Sequence, residues 1–180
     1  MSDEPRIEPA TGAEAAEIAA IYAHHVIHGT ATFEIEPPDA TEIAARMERL
    51  RAAGMPWLVA RDAAGVLLGY AYAGRYHARA AYRDTVENSV YIRHDKLGRG
   101  LGRKLLAALL AECEARGVRQ VIAAIAGTEP ASVALHAKAG FVEVGRFKSV
   151  GRKHGQWIDV LYMQRALGEG DTSPPAVEPG

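Results

Sequence analysis

Three features are scarce in this sequence: cysteine, excess charge of either sign, and long apolar runs. The single cysteine, Cys113, excludes an intrachain disulfide and a structural zinc site built on cysteines. The 21 basic and 22 acidic residues leave a formal net charge of −1, so the bulk charge gives no sign of a nucleic-acid partner. No apolar run approaches the roughly 20 residues that cross a bilayer. The N-terminus, Met1–Pro5, lacks the basic and apolar regions of a secretory signal. We therefore expect a cytoplasmic protein that contacts neither nucleic acid nor membrane.

The size and composition of the chain are typical of one globular domain. Its 180 residues are 48% hydrophobic and 24% charged, which suffices for a sizeable core. We expect this domain to span residues 5–167. Residues 168–180 are rich in Gly and Pro and offer little apolar surface to bury, which predicts a disordered tail.

Apolar spacing predicts the order of helices and strands. Helices are expected from the capping box Thr11–Glu14 to His28, and over 39–54, 99–116 and 130–140. Strands are expected at 6–8, 57–61, 66–72, 85–93, 118–125, 141–146 and 157–163, the second and third forming a hairpin. The basic stretch 148–156 is predicted to be a loop. The strand at 118–125 is apolar almost throughout, which indicates a central position in the sheet.

A glycine-rich segment lies between the 85–93 strand and the following helix. Gly98, Gly100 and Gly102 match neither a Walker loop nor the Rossmann fingerprint. Unhindered backbone amides at a helix N-terminus suit phosphate groups, and Arg99 and Arg103 add positive charge. Phosphate binding and simple helix entry are about equally supported by the residues alone.

The 85–93 strand also carries a carboxylate. Strand alternation places Glu87 on one face with Ser89, Tyr91 and Arg93, and Asn88 on the other face. Glu87 is either a surface group or, if it faces a cleft, a base whose pKa is raised by partial burial.

Histidine and cysteine give weaker signals. His24, His25 and His28 share a helix without metal-ligand spacing, so we interpret them as surface or packing residues. His136 differs because it lies near a helix end that can face the glycine segment. Cys113 falls in the apolar stripe of its helix, which makes it a poor nucleophile.

Several separated motifs, taken in order, resemble a known family. The segment Gly98-Arg-Gly-Leu-Gly-Arg103, its flanking strand and helix, and Ala131–Phe141 resemble the GNAT superfamily of acetyl-CoA-dependent N-acetyltransferases. Ala31–Glu34, Tyr82–Ile92 and Gly151–Asp159 resemble, more narrowly, the group of phosphinothricin, methionine sulfoximine and methionine sulfone acetyltransferases. The resemblance covers roughly residues 5–167. It implies a mixed α/β (α+β) fold, with a mostly antiparallel sheet of about seven strands and about four helices.

The resemblance assigns a cofactor site and two catalytic residues. Glu87 would be the general base, and His136 would protonate the leaving thiolate. Backbone groups of the strand would bind the pantetheine arm and stabilise an oxyanion at the thioester carbonyl. Acetyl-CoA would be the co-substrate, with no metal, and attack would be direct within a ternary complex. The implied cofactor-binding residues are Val90, Tyr91, Ile92, Gly98, Arg99, Gly100, Leu101, Gly102, Arg103 and Glu129.

The resemblance also implies a pocket for a small amino acid analogue and a homodimer. The implied substrate-binding residues are Phe33, His77, Ala78, Arg79, Tyr82, Arg83, Asn88 and Ser89. The chain departs from the family pattern at Leu97, His77 and Glu129, and the last stands where an Asn commonly contacts the cofactor. Two alternatives stay open: an acyl-CoA-binding regulatory domain without turnover, and an acetyltransferase for protein or peptide amines.

Overall fold

A computed structural model describes residues 4–127 and 129–178. Met1–Asp3, on which part of the N-terminal prediction rests, lie outside the described residues, as do Thr128 and the last two residues of the predicted tail. The helices are α1 Ala15–His28, α2 Ala40–Ala52, α3 Leu101–Ala115 and α4 Pro130–Lys138. The strands are β1 Arg6–Pro9, β2 Trp57–Arg61, β3 Leu67–Arg75, β4 Thr85–Ile92, β5 Gln120–Ala126, β6 Val142–Lys153 and β7 Gln156–Ala166.

The seven strands form one sheet in the order β1-β2-β3-β4-β5-β7-β6. Every neighbouring pair is antiparallel except β4 and β5, which run parallel. The predicted mixed fold, with a mostly antiparallel sheet and four helices, is therefore confirmed. The strand predicted to be central, β5, lies between β4 and β7.

Local sequence signals explain where the first two helices begin. The Thr11 backbone amide donates to Glu14 Oε2 at 2.8 Å, and the reciprocal bond completes the predicted capping box ahead of α1. The Asp39 side chain accepts a hydrogen bond from the Glu42 amide at 2.8 Å and caps α2. Gly54, with φ of 72°, follows the end of α2.

Two apolar clusters cover the two faces of the sheet. On one face α3 contributes a fully buried stripe, including Leu105, Leu106 and Leu109, which packs on β2 to β5 and β7. On the other face α1 and α2 bury Ile18, Tyr22 and Ile43 among others, against Trp57, Tyr70 and Tyr91 of the sheet. β4 therefore presents alternate side chains to the α3 layer and to the α1/α2 layer.

The prediction of a loop over 148–156 was wrong. Residues up to Lys153 continue β6, and His154 and Gly155 form the tight turn into β7. β6 is an edge strand with most of its residues exposed, so it lacks the apolar alternation that identifies half-buried strands. A register shift between Phe147 and Gly151, with Ser149 at φ 53°, further disguises the pattern.

The segment after β7 contacts the corner between α3 and β5. Arg119 donates from its guanidinium to the Ser173 hydroxyl and to the Pro174 carbonyl, both at 3.1 Å. The division of the chain at residue 167 and the disorder of the tail stay predictions. Among the described residues, no helix combines the length and apolar character needed to span a membrane.

Candidate active site

The sheet splits between its two parallel strands. β4 and β5 pair only at Thr85–Gln120, Val86–Val121 and Glu87–Ile122, and they diverge beyond Glu87. The gap opens into a cleft of about 370 Å³. It is lined by the second half of β4 (residues 88–92), the end of β5 (123–126), the start of the α1–α2 connection (29–31) and α4, together with His25, Leu97 and Glu129.

Past Glu87, β4 has a strand partner on its β3 side only. Its pairing with β3 continues to Gly69–Ile92, whereas the pairing with β5 has already ended. Backbone groups of residues 88–92 directed at β5 are therefore available to an extended ligand that binds as an additional strand. The side chain of Tyr91 is buried in the α1/α2 layer, while Val90 and Ile92 pack toward α3.

Glu87 lies at the closed end of the split between β4 and β5, next to the β4 residues that line the cleft. It is the last β4 residue paired with β5 and is partly buried. Burial raises the pKa of its carboxyl group, because a charged carboxylate is less well solvated there. The pKa of Tyr162 is raised by burial, and the charge of Glu87 adds to that shift. A partly buried carboxyl group with a raised pKa beside a cleft is a candidate for a general base.

His136 is buried and its two ring nitrogens are both engaged. Nδ1 lies 2.8 Å from the Ser132 carbonyl oxygen, which can only accept, so Nδ1 carries the proton. Nε2 lies 2.9 Å from Asn88 Nδ2 and therefore accepts a hydrogen bond from that amide. Burial lowers the pKa of His136, although the bond to Ser132 opposes this. The ring is therefore neutral and directs no proton into the cleft.

Asn88, which we expect among the substrate-binding residues, lines the cleft, and its side-chain amide is bonded to His136 on the α4 side of the sheet. Asn88 is 6% exposed, and its Oδ1 has no hydrogen-bond partner among the residues that the structure describes. Its neighbour Ser89 lines the cleft.

The glycine segment forms the turn that enters α3. Gly98 and Gly100 have φ of 77° and 72°, and Gly100 is the residue that precedes the helix. These left-handed conformations favour glycine and leave the amides of the first turn unobstructed. Arg99 and Arg103 are exposed and form no ion pair with any described residue. The side chain of Leu101 belongs to the core, so only its backbone faces a ligand.

The predicted acceptor residues fall into two groups. Phe33 lies in the α1–α2 connection beside the cleft, and its ring packs against Gly151 of β6. His77, Ala78, Arg79 and Tyr82 lie in the exposed β3–β4 connection, outside the cleft lining, and Arg83 pairs with Asp84 at 3.6 Å. Glu129 is exposed at the start of α4 and lines the cleft.

Sequence reasoning missed several residues that shape the cleft. His25 donates from Nε2 to the Ile92 carbonyl at 2.9 Å and lines the cleft, which attaches α1 to the end of β4. Helical spacing from Ile18 and Tyr22 was the signal for its burial, since these residues share one face. Lys153 was assigned to a loop, yet it is 4% exposed. No feature of the sequence around Lys153 marks it as buried.

Metal and thiol chemistry find no support in the described parts of the chain. No group of three or more His, Cys, Asp or Glu side chains among residues 4–127 and 129–178 could hold a metal ion. Burial raises the pKa of the Cys113 thiol to about 11, so a reactive thiolate is not favoured there.

Comparison with known proteins agrees with the geometry. Residues 7–162 match the model of the GNAT acetyltransferase domain. The chain is 55% identical over 160 residues to phosphinothricin N-acetyltransferase of Alcaligenes faecalis, covering 88% of this chain and 80% of that protein. It is 40% identical over 157 residues to the L-methionine sulfoximine/L-methionine sulfone acetyltransferase of Pseudomonas aeruginosa, covering 87% and 91% respectively.

A solved structure shares the whole fold. The GNAT phosphinothricin acetyltransferase of Sinorhizobium meliloti, crystallised with acetyl-CoA, superposes with a TM-score of 0.94 at 42% identity. The match covers 96% of this chain and 93% of that one. This chain belongs to the GNAT family of acetyl-CoA-dependent N-acetyltransferases.

Proposed function

We propose that this enzyme transfers an acetyl group from acetyl-CoA to the amino group of a small amino acid analogue, of the phosphinothricin, methionine sulfoximine or methionine sulfone type. The observation that carries the proposal is the split between β4 and β5, with the partly buried Glu87 at its closed end. The substrates named for the relatives at 55% and 40% identity support the acceptor class.

The residues of the cleft fit an acyl-CoA molecule. Extended backbone over 90–92 without a partner on the β5 side suits the amides of a pantetheine arm. The first-turn amides of α3, with Arg99 and Arg103 beside them, suit a pyrophosphate. Glu129 lines the cleft at the start of α4 and completes the proposed cofactor site. When bound, acetyl-CoA supplies an acyl group that is activated as a thioester.

Glu87 would remove a proton from the acceptor amine, directly or through a water molecule. An ammonium group cannot attack a carbonyl carbon, so a base at the closed end of the cleft provides the nucleophile. Attack would be direct within a ternary complex, because Cys113 is buried in α3 and no other thiol exists in the sequence.

The proposed acid role of His136 meets a constraint. Its Nδ1 proton is bonded to Ser132 and its Nε2 lone pair is used by Asn88. His136 could donate to a leaving thiolate only if Asn88 turned away and Nε2 became protonated. A thiol pKa of about 8.5 makes the thiolate a tolerable leaving group without a proton donor, so catalysis does not depend on this acid.

The acceptor's acidic groups would meet cations in the β3–β4 connection. Arg79 is exposed and forms no ion pair with the described residues, and Arg83 is partly buried beside Asp84. Gly74 of β3 pairs with Glu87, and the Tyr76 amide donates to the Thr85 carbonyl at 3.1 Å. The connection therefore begins two residues after the β3 position opposite the proposed base. His77, Ala78, Tyr82, Phe33 and Ser89 would complete the pocket.

We further propose a homodimer and a cytoplasmic location. The edge strand β6 exposes Val142, Val144, Phe147 and Val150, each more than half exposed, with Trp157 of β7 at 63%. Monomeric proteins rarely leave a row of large apolar side chains in water, so this edge fits an interface between two copies. A single buried cysteine suits a reducing compartment. Residues 5–167 would form the catalytic domain, in line with the family match over 7–162.

A panel of amines tests the function. Release of free coenzyme A is followed with phosphinothricin, methionine sulfoximine, methionine sulfone and peptide amines, beside thermal stabilisation by acetyl-CoA. We expect turnover with the amino acid analogues. Stabilisation without turnover on any amine would instead favour an acyl-CoA-binding domain, and preference for peptides would favour a protein acetyltransferase.

A further inference from the structure

Residues 29–34, here called the strap, connect the two halves of the split sheet. The strap leaves α1, which is attached to β4 through His25 and the Ile92 carbonyl. Tyr22 of α1 lies edge-on to Tyr91 of β4, with ring centroids 5.0 Å apart, and its hydroxyl is 2.7 Å from Thr32 Oγ1. This end of the strap therefore moves with β4.

The other side of the strap rests on the opposite half of the sheet. Lys153 at the end of β6 donates from Nζ to the Thr32 carbonyl at 2.8 Å. The Phe33 ring covers Gly151 so closely that an added Cβ would lie 2.1 Å from a ring carbon. Thr30 lies against Gly127, just after β5, in the same way. Because β4 and β5 have no backbone bonds past Glu87, these contacts bridge the open side of the cleft.

The hydrogen bond from Lys153 to the strap is here called the clamp. Its donor is unusual because it is a buried cation. It is 4% exposed, and the hydrogen bond to Thr32 is the one bond that its side chain forms with the described residues. Burial lowers the pKa of Lys153, and the negative charge of Glu34 opposes that shift. Glu34 itself is held by Arg46, at 2.6 and 3.2 Å, and by the Tyr22 hydroxyl at 2.9 Å. Glu34 is thus an ion-pair partner of Arg46, and the buried ammonium of Lys153 is held by the Thr32 carbonyl.

The strap lies on the same face of the sheet as the proposed base. Glu87 and Tyr91 alternate to the α1/α2 face, whereas Asn88 and His136 meet on the α4 side. The strap reaches this face as well, because Thr32 and Glu34 are bonded to the Tyr22 hydroxyl and the Tyr22 ring lies against Tyr91. The strap and the proposed base therefore lie on the same face of the sheet.

We propose that Lys153 is a positioning residue for the acceptor amine: by holding the Thr32 carbonyl it fixes the strap across the cleft and sets Phe33 against Gly151. This proposal rests on the proposed function, because it assigns the space between Phe33 and Glu87 to the acceptor. Among the described residues, Lys153 forms no side-chain hydrogen bond with the glycine segment or the β4 backbone, which would bind the cofactor, and it bonds the strap at Thr32, beyond the residues 29–31 that line the cleft. The two substrates should therefore respond differently to loss of the clamp.

The first test replaces Lys153 by methionine, which keeps the length of the side chain and removes the charge and the donor. We expect the KM for the amine to rise about tenfold or more, because small displacements of a binding group are costly. The affinity for acetyl-CoA should change by less than about threefold. Lys148→Met is the matched control, since Lys148 lies on the same strand with a side chain 78% exposed. A substitution that only weakened the fold would lower kcat and leave the KM values for the amine and for acetyl-CoA unchanged.

A second variant reaches Phe33 without touching the buried charge. Gly151→Ala must displace the Phe33 ring, whereas Gly145→Ala, its control on the same strand, meets no atom within 4 Å. We expect Gly151→Ala to raise the amine KM and Gly145→Ala to leave it unchanged. If both substitutions at 151 and 153 leave the amine KM unchanged in folded protein, the proposal is overturned.

Hydrogen exchange separates this proposal from the proposed function. Backbone amides of residues 29–34 should exchange faster in Lys153→Met than in the wild type or in Lys148→Met, whether or not the amine is turned over. If the wild type acetylates no amine but the amides of residues 29–34 exchange faster in Lys153→Met, the proposed function fails and the clamp is still supported. Unchanged exchange at 29–34 in Lys153→Met would overturn the clamp.

Discussion

Burial shifts the pKa values of Glu87 and His136, two side chains near the closed end of the cleft, in opposite directions. Burial raises the pKa of Glu87, which brings a carboxylate toward the range in which it can accept a proton and release it again. Burial lowers the pKa of His136 and keeps its imidazole neutral. Glu87 is therefore a candidate for proton transfer, whereas His136 is held in a fixed tautomer by Ser132 and Asn88.

Glu87→Gln should lower kcat by about two to four orders of magnitude, the usual contribution of a general base. Glu87 acts when ionised, so the wild-type kcat/KM should fall as pH drops through a pKa above the ordinary value of 4.5. That acidic limb should disappear in the variant, while the limb from the substrate ammonium remains. Glu48→Gln, an exposed carboxylate on α2, is the control. An unchanged pH–rate profile in Glu87→Gln would remove Glu87 as the base.

Asn88→Asp should raise the pKa of His136 by roughly one to three pH units, because a carboxylate opposite Nε2 stabilises the protonated ring. In the wild type, donation by the Asn88 amide to Nε2 favours the neutral ring. Nitrogen chemical shifts of the imidazole across a pH titration measure both states. A doubly protonated His136 in the wild type at neutral pH would contradict the geometry described above.

At the scale of elements, the turn into α3 combines a left-handed backbone that suits glycine with a proposed binding role. Gly100→Ala should destabilise the fold by about 1–2 kcal/mol through its left-handed backbone and weaken acetyl-CoA binding severalfold. Gly65 provides a matched control in the β2–β3 turn, since it has φ of 82° and equally open surroundings. Gly65→Ala should cost similar stability without changing acetyl-CoA affinity, as calorimetry can measure. Equal loss of affinity in both variants would refute a specific role for the turn.

Most elements were predictable because each carries its own local signal. The capping box before α1, the Asp39 cap and the glycine turn into α3 are short-range chemistry that a sequence displays directly. β6 was mistaken for a loop in its second half because pairing with β7, a tertiary contact, stabilises it. The same limit applies to Lys153, whose side chain bonds, within the described part of the chain, a residue more than one hundred positions away. The order of the motifs predicted the family and the candidate site, but the long-range contacts that support this site are visible only in the structure.

At the scale of the whole molecule, the exposed edge of β6 governs the proposed assembly. Phe147→Lys should convert the dimer to a monomer, because a charge in the middle of an apolar edge interface is strongly unfavourable. Val66→Lys, at a partly exposed position in the β2–β3 connection, is the control and should leave the dimer intact. Sedimentation velocity distinguishes the two states. A wild-type monomer at micromolar concentration, or a dimeric Phe147→Lys, would contradict the proposed interface.

The cleft is proposed to bring acetyl-CoA to the amino group of a small amino acid analogue. The most direct measurement is a competition experiment, in which one reaction contains acetyl-CoA with equal amounts of phosphinothricin, methionine sulfoximine, methionine sulfone and a peptide amine. Mass spectrometry then identifies the acetylated products and their order of appearance. We predict that the amino acid analogues are N-acetylated first and the peptide little or not at all. Acetylation of the peptide ahead of all three analogues, or of no amine while acetyl-CoA binds, would contradict the account.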